Sequence, residues 1–121
     1  MKPEMAIGDV VVDCGDAAKL RNFYAELLGG EKCELYGLPA LRSGLLFLFA
    51  QEPDYVPPVW PEKDGRQQKQ LHFDFQVPDV AAAVQRAKEL GASVAKAQFG
   101  GSHFTTMLDP AGHPFCLCAK G

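Results

Sequence analysis

Two side chains able to exchange a proton stand two positions apart in LHFDFQV at 71–77: His72 and Asp74. Imidazole titrates near neutral pH, so a histidine with a carboxylate neighbour is a candidate general base. Residues i and i+2 of a strand lie about 6.6 Å apart, a spacing that predicts no secure direct hydrogen bond between them. Cys116, with Cys118 two positions on, is the candidate nucleophile or metal ligand. A thiol attacks as its thiolate and needs an activating neighbour, and no helix N-terminus or third group is evident beside Cys116. Each residue also has a structural reading: a strand histidine as a hydrogen-bonded structural group, a buried cysteine as a small apolar filler. His103, after Gly100-Gly101, sits where a hairpin or lip is expected, and the expectation is that it does not reach a ligand. His113 lies in DPAGHP, where its expected task is to fix the turn by side-chain hydrogen bonding. Phosphate-loop, dinucleotide, Ser-triad and CxxC patterns are absent.

The elements that must position these residues read as follows. Ala6–Cys14 is valine-rich and bounded by Gly15-Asp16, a strand signal. Asp16 is an N-cap for a helix with Leu20, Phe23, Tyr24, Leu27 and Leu28 at helical spacing, and Gly29-Gly30 stops it. Short strands are expected around 32–36, 40–42 and 45–50. From Gln51 to Gln70, four prolines (Pro53, Pro57, Pro58, Pro61) with Tyr55 and Trp60 between them exclude a regular helix or central strand, leaving a connection or arm. The pattern then restarts: a strand over 71–77, Asp79 as N-cap, a helix stopped at Gly91, and strands around 93–97, 104–108 and 115–118. Gly29 and Gly91 are 91 − 29 = 62 positions apart, about half of the 121 residues, which predicts a duplicated βαβββ unit. Strand alternation then places Asp9, Asp13, His72, Asp74, Gln76 and Cys116 on sheet faces turned away from the helices, with Leu71, Phe73, Phe75 and Val77 packed on them.

Composition bounds the possible functions. The chain is 47% hydrophobic and 22% charged, which excludes a disordered chain. A net charge of −3 with no basic stripe argues against nucleic-acid binding. No apolar run approaches the ~20 residues of a membrane span. The N-terminal MKPEMAIGD lacks the apolar centre of a signal peptide, so a cytoplasmic protein with four reduced thiols (Cys14, Cys33, Cys116, Cys118) is expected.

The segments VVVDCGDAAKLRNFYAELLGG at 10–30, HFDFQVPDVAAAVQRAKELGA at 72–92 and MLDPAGHPFCLC at 107–118 together resemble the vicinal-oxygen-chelate superfamily of glyoxalases, bleomycin-resistance proteins and extradiol dioxygenases. PPVWP at 57–61 resembles its small glyoxalase-like subgroup. The resemblance implies an α+β fold of two tandem βαβββ modules (5–50 and 71–119, joined by the Pro-rich 51–70) whose curled mixed sheets form a cleft, within a homodimer. It also implies that metal-using members place ligands at the positions of Asp9, His72 and Cys116, where two of the three depart from the superfamily's usual His or Gln and Glu.

Three functions compete on this reading. One is a glyoxalase-like protein of unassigned reaction that binds or sequesters a small drug or metabolite without a metal, through Asp9, Asp13, Trp60, His72, Asp74 and Phe104, with Tyr55 as a further stacking surface. Aspartates would attract a cation and the aromatic rings would stack on it. The second is a metal-dependent lyase, isomerase or thiol-transferase with zinc, the ion best suited to carboxylate, imidazole and thiolate together, on Asp9, His72 and Cys116. The third is a metal-independent enzyme using the His72–Asp74 pair, or an accessory domain. The expected partner is a small molecule, with neither nucleic acid nor membrane.

Overall fold

A computed structural model of the chain describes residues 3–120. The order of elements is β1 (Val10–Cys14), α1 (Ala17–Leu28), β2 (Glu31–Leu35), β3 (Leu38–Ser43), β4 (Leu45–Gln51), β5 (Phe73–Val77), α2 (Val80–Glu89), β6 (Ser93–Val94), β7 (Phe104–Leu108) and β8 (Pro114–Ala119). The chain divides into two compact units, the first ending at Pro53 and the second beginning at Asp54. Each is one βαβββ module with one four-stranded mixed sheet. The strand orders, β1-β4-β3-β2 and β5-β8-β7-β6, correspond element for element. In both, the strand before the helix pairs in parallel with the last strand, and the other neighbours are antiparallel.

Local sequence explains the repeated start. Asp16 and Asp79 take extended backbone and accept from Lys19 N at 3.1 Å and Ala82 N at 3.0 Å, each satisfying a first-turn amide that the helix leaves unpaired. The helices bury Leu20, Phe23 and Tyr24 in the first unit and Ala87 in the second. In the second unit, Phe115 and Leu117 of β8 and Met107 of β7 are fully buried on the helix side of the sheet. Phe75 packs against Phe115 with ring centroids 5.8 Å apart and the ring planes tilted by 57°. Leu71 departs from the expected alternation. The strand ladder begins only at Phe73, so Leu71 is not held on the helix face and is 74% exposed.

Of the last three strands of the second unit, β7 and β8 lie where expected and only β6 departs from expectation. The strand expected over 93–97 is only Ser93–Val94. Beyond it, Ala95 N still donates to Thr106 O at 3.0 Å, and then a side chain takes over. The Gln98 amide accepts from Thr106 N at 2.8 Å and donates to Thr106 O and to Ala95 O, both at 2.7 Å. A primary amide carries the donor and acceptor of a peptide group, so Gln98 continues the pairing that β6 abandons.

The DPAGHP turn is fixed by Asp109 rather than by His113. Asp109, 4% exposed, accepts through Oδ1 from Ala111 N at 2.9 Å and His113 N at 3.0 Å, while its carbonyl accepts from Gly112 N at 2.8 Å. His113 instead anchors the Pro-rich arm. Tyr55 donates its one hydroxyl proton to Ala111 O at 2.7 Å, so at the 3.2 Å contact His113 Nε2 is the donor to the phenol oxygen. Gly112 has φ +88, and a Cβ there would stand 2.8 Å from Pro57 Cβ, so glycine lets the arm lie directly on the turn.

Candidate functional site

The sheet of the second unit brings three rows of side chains to the face opposite α2. The register pairs Asp74 with Cys116 across β5–β8, and Cys116 with Thr106 across β8–β7. Cys118 pairs with Phe104 in the next row, on the same face because the side-chain period is two. His72 precedes the first residue of β5 on this same parity. Trp60 and Lys69 from the arm and Phe99 from the segment after β6 complete a pocket of about 240 Å³. Every residue lining it lies in the second unit.

The polar corner is compact. His72 Nε2 stands 3.4 Å from Asp74 Oδ1. The Cα spacing of a strand underestimates this approach, because same-face side chains lean along the strand and His72 lies just outside the ladder. The ligand atoms of His72, Asp74 and Cys116 all lie within 4.8 Å of one another. Cys116 is 8% exposed, and burial pushes its thiol pKa up. The Thr106 hydroxyl, 3.5 Å from Cys116 Sγ, opposes that rise, and the Asp74 carboxylate adds to it. Cys118 is shifted upward as well, by burial first and then by Asp74 and Cys116. The resting Cys116 is therefore a protonated thiol beside a hydroxyl, which is a poor nucleophile at neutral pH.

The aromatic wall is held from two sides. Trp60 Nε1 donates to Ala97 O at 3.2 Å, and its ring meets Phe99 edge-on with centroids 5.8 Å apart. Lys69 Nζ lies 4.6 Å from the Trp60 ring centroid and 2.7 Å from Glu62 Oε1. The arm thus builds one wall of the pocket through Trp60 and Lys69. Val59 N donates to Gln67 O at 2.8 Å, closing the base of the loop between these two residues.

The donor set can be tested against a metal. Zinc binds imidazole nitrogen, carboxylate oxygen and thiolate sulfur at about 2.0–2.3 Å, which puts tetrahedral donors roughly 3.3–3.8 Å apart. The side chains of His72 and Asp74 are 40% and 61% exposed, so they have room to turn inward by the missing ångström. The residues fit zinc, with a fourth position left to water or a ligand. Coordination requires the Cys116 thiolate, and its raised pKa makes affinity rise with pH.

Of the residues singled out in the sequence, Trp60, His72, Asp74, Phe104 and Cys116 line this pocket. Asp9, half-buried just before β1, and Asp13, exposed on β1, belong to the first unit. Among the described residues, the group with metal-ligand spacing contains Asp74 where the resemblance implies Asp9. His103 is exposed and not among the lining residues, and Tyr55 is committed to the turn. Sequence reasoning missed Lys69, Phe99 and Thr106. The alternation of β7 could have supplied Thr106 as the partner of Cys116, whereas nothing in the polar run DGRQQKQ distinguishes its one lysine.

Residues 9–118 match the family model described as a glyoxalase-like domain. No functionally curated protein matches the chain. Among solved structures, the genomically encoded fosfomycin resistance protein FosX from Listeria monocytogenes superposes with a TM-score of 0.69 at 17% identity, covering 98% of this chain and 96% of that one. A glyoxalase/bleomycin resistance protein/dioxygenase family enzyme from Burkholderia phytofirmans PsJN gives 0.67 at 18% identity, over 93% and 96% of the two chains. Lactoylglutathione lyase from Agrobacterium tumefaciens gives 0.61 at 22% identity, over 98% and 96%. At these identities the likeness is one of fold.

Proposed function

The chain belongs to the glyoxalase-like domain family, and from that premise we propose that it is a small-molecule-binding protein whose ligand sits in the pocket of the second unit. The observation that carries this is the meeting, in one pocket of about 240 Å³, of a polar corner (His72, Asp74, Cys116) with an aromatic wall (Trp60, Phe99, Phe104). Concave sites that combine apolar walls with a few convergent polar groups are where small ligands bind, the walls supplying affinity and the polar groups orientation. The volume suits a metabolite-sized ligand or one end of a larger one. Asp9, a ligand position on the resemblance, and Asp13, a candidate from strand alternation, belong to the first unit and are not among the lining residues; the resemblance also implies a homodimer, which light scattering on the purified protein reads directly. The test of the pocket is a thermal-shift screen of small metabolites and drugs, repeated on Trp60→Ala and His72→Ala. Hits that vanish in both variants support the pocket, and hits that persist in both place the ligand elsewhere.

A second reading is favoured by one specific observation, the mutual proximity of the His72, Asp74 and Cys116 ligand atoms. On it the protein is a metal-dependent lyase, isomerase or thiol-transferase; one structural neighbour carries the name lactoylglutathione lyase. Zinc would supply Lewis acidity toward a substrate oxygen. The chain would supply the three ligands, while Trp60 and Phe104 would exclude water and orient the substrate's apolar part. Metal analysis of untagged protein, with a zinc titration at neutral pH, decides between the readings. About one ion per chain, lost in His72→Ala, establishes the metal site, and no uptake at micromolar zinc retires the metal-dependent mechanism.

A further inference from the structure

The pocket's own charges indicate what kind of ligand it takes. An ammonium group has three N–H donors and no acceptor. Lys69 gives one to Glu62 Oε1 at 2.7 Å and turns its cationic head to the face of Trp60, 4.6 Å from the ring centroid. Among the described residues it has no further hydrogen-bond partner, and it lines the pocket. At the other end, Asp74 already faces His72 across 3.4 Å. The Thr106 hydroxyl is engaged with Cys116. Asp74 keeps acceptor capacity at that polar corner; beside the aromatic wall, the uncommitted polar capacity is the cationic donor Lys69, and the ring face that would stack on a cationic ligand is covered by this lysine. Both points run against the cation-binding role that the aspartates and aromatics suggest from sequence.

We propose that Lys69 is the specificity-determining residue of this pocket and that the ligand is a small organic oxyanion, its carboxylate or equivalent acidic group accepting from Lys69 Nζ and its apolar body lying among Trp60, Phe99 and Phe104. Glu62 holds Lys69 in place and competes with the ligand for it. The assignment rests on the reading of the pocket as the ligand site and adds the charge of the ligand to it.

The experiment uses three probes of nearly equal shape, phenylacetate, phenylacetamide and phenethylamine, titrated calorimetrically into the full chain at low ionic strength. Phenylacetate is expected to bind about tenfold more tightly than the amide, the effect of one hydrogen bond to a charged group, and the amine more weakly still. Lys69→Met is expected to abolish the preference for the acid over the amide, read as the ratio of the two affinities. Glu62→Gln, which removes the competing carboxylate and leaves Lys69 intact, is expected to tighten phenylacetate binding. Equal binding of acid and amide, preference for the amine, or an acid preference that survives Lys69→Met overturns the role of Lys69 while leaving the pocket as a ligand site. Binding of none of the three at millimolar concentration overturns the assignment together with the pocket reading beneath it. Because the comparison among probes is made on the wild-type chain, it stands even if a variant folds poorly.

Discussion

Cys116 illustrates how one residue's surroundings decide its chemistry. Burial raises its pKa, so the folded chain retains the thiol proton at pH values where an unfolded chain loses it. Its contribution to stability is therefore fully present below the unfolded thiol's pKa and is lost as pH rises through the folded one. Iodoacetamide labelling of Cys116 is expected to be slow at neutral pH, with a rate profile displaced upward from that of a cysteine in an unfolded peptide; a profile at or below the peptide's would contradict the burial argument. Thr106→Val removes the hydroxyl that opposes the shift and should move the profile further up. Asp109 makes the same point for structure. Asp109→Ala leaves the amides of Ala111 and His113 without their 2.9 and 3.0 Å acceptor. It should cost about 2–3 kcal/mol in chemical denaturation, and Asp109→Asn, which keeps an oxygen, distinctly less. The sequence marked DPAGHP as a turn but credited its fixing to His113. Turn chemistry is local and therefore readable, whereas the pairing of His113 with Tyr55 spans 58 positions of chain and is not.

At the scale of elements, the helices and their caps were legible because capping and 3.6-residue periodicity are properties of short windows. β6 was not. Its sequence, SVAKA at 93–97, is compatible with a full strand, but the ladder stops at Val94 and beyond Ala95 the pairing with Thr106 passes to the side chain of Gln98, which no short window reveals. Gln98→Ala is expected to destabilise the protein by about 1–2 kcal/mol, since the buried Thr106 loses an acceptor for its N–H. Gln98→Glu should be at least as damaging, because a carboxylate would face the carbonyls of Ala95 and Thr106, where Nε2 now donates. Amide exchange at Thr106 should accelerate in both, and unchanged protection there would show that water or backbone substitutes for the side chain. The arm 51–70 was recognisable as irregular from its prolines. That it supplies Trp60 and Lys69 to a pocket was only half readable, since an aromatic residue among prolines draws notice and a lysine in a polar run does not.

Over the whole molecule, the duplication inferred from the two glycine stops corresponds to two units with one topology, and the N-caps stand 79 − 16 = 63 positions apart, one more than the stops. The two copies differ most in the edge strand that follows the helix, five residues in β2 against two in β6. The His72–Asp74–Cys116 corner belongs to the second copy alone, so zinc is expected to raise amide-exchange protection first in β5, β7 and β8. Protection that rises first in β1 to β4 would instead implicate ligands such as Asp9. Where the second sheet ends depends on an amide that one point mutation can remove. An uncovered strand edge is a template for the edge of another molecule, and a net charge of −3 gives only modest mutual repulsion. In Gln98→Leu, then, loss of the amide would show first as chain-to-chain polymerisation on concentration, so that this glutamine keeps neighbouring copies apart as well as holding its own sheet together.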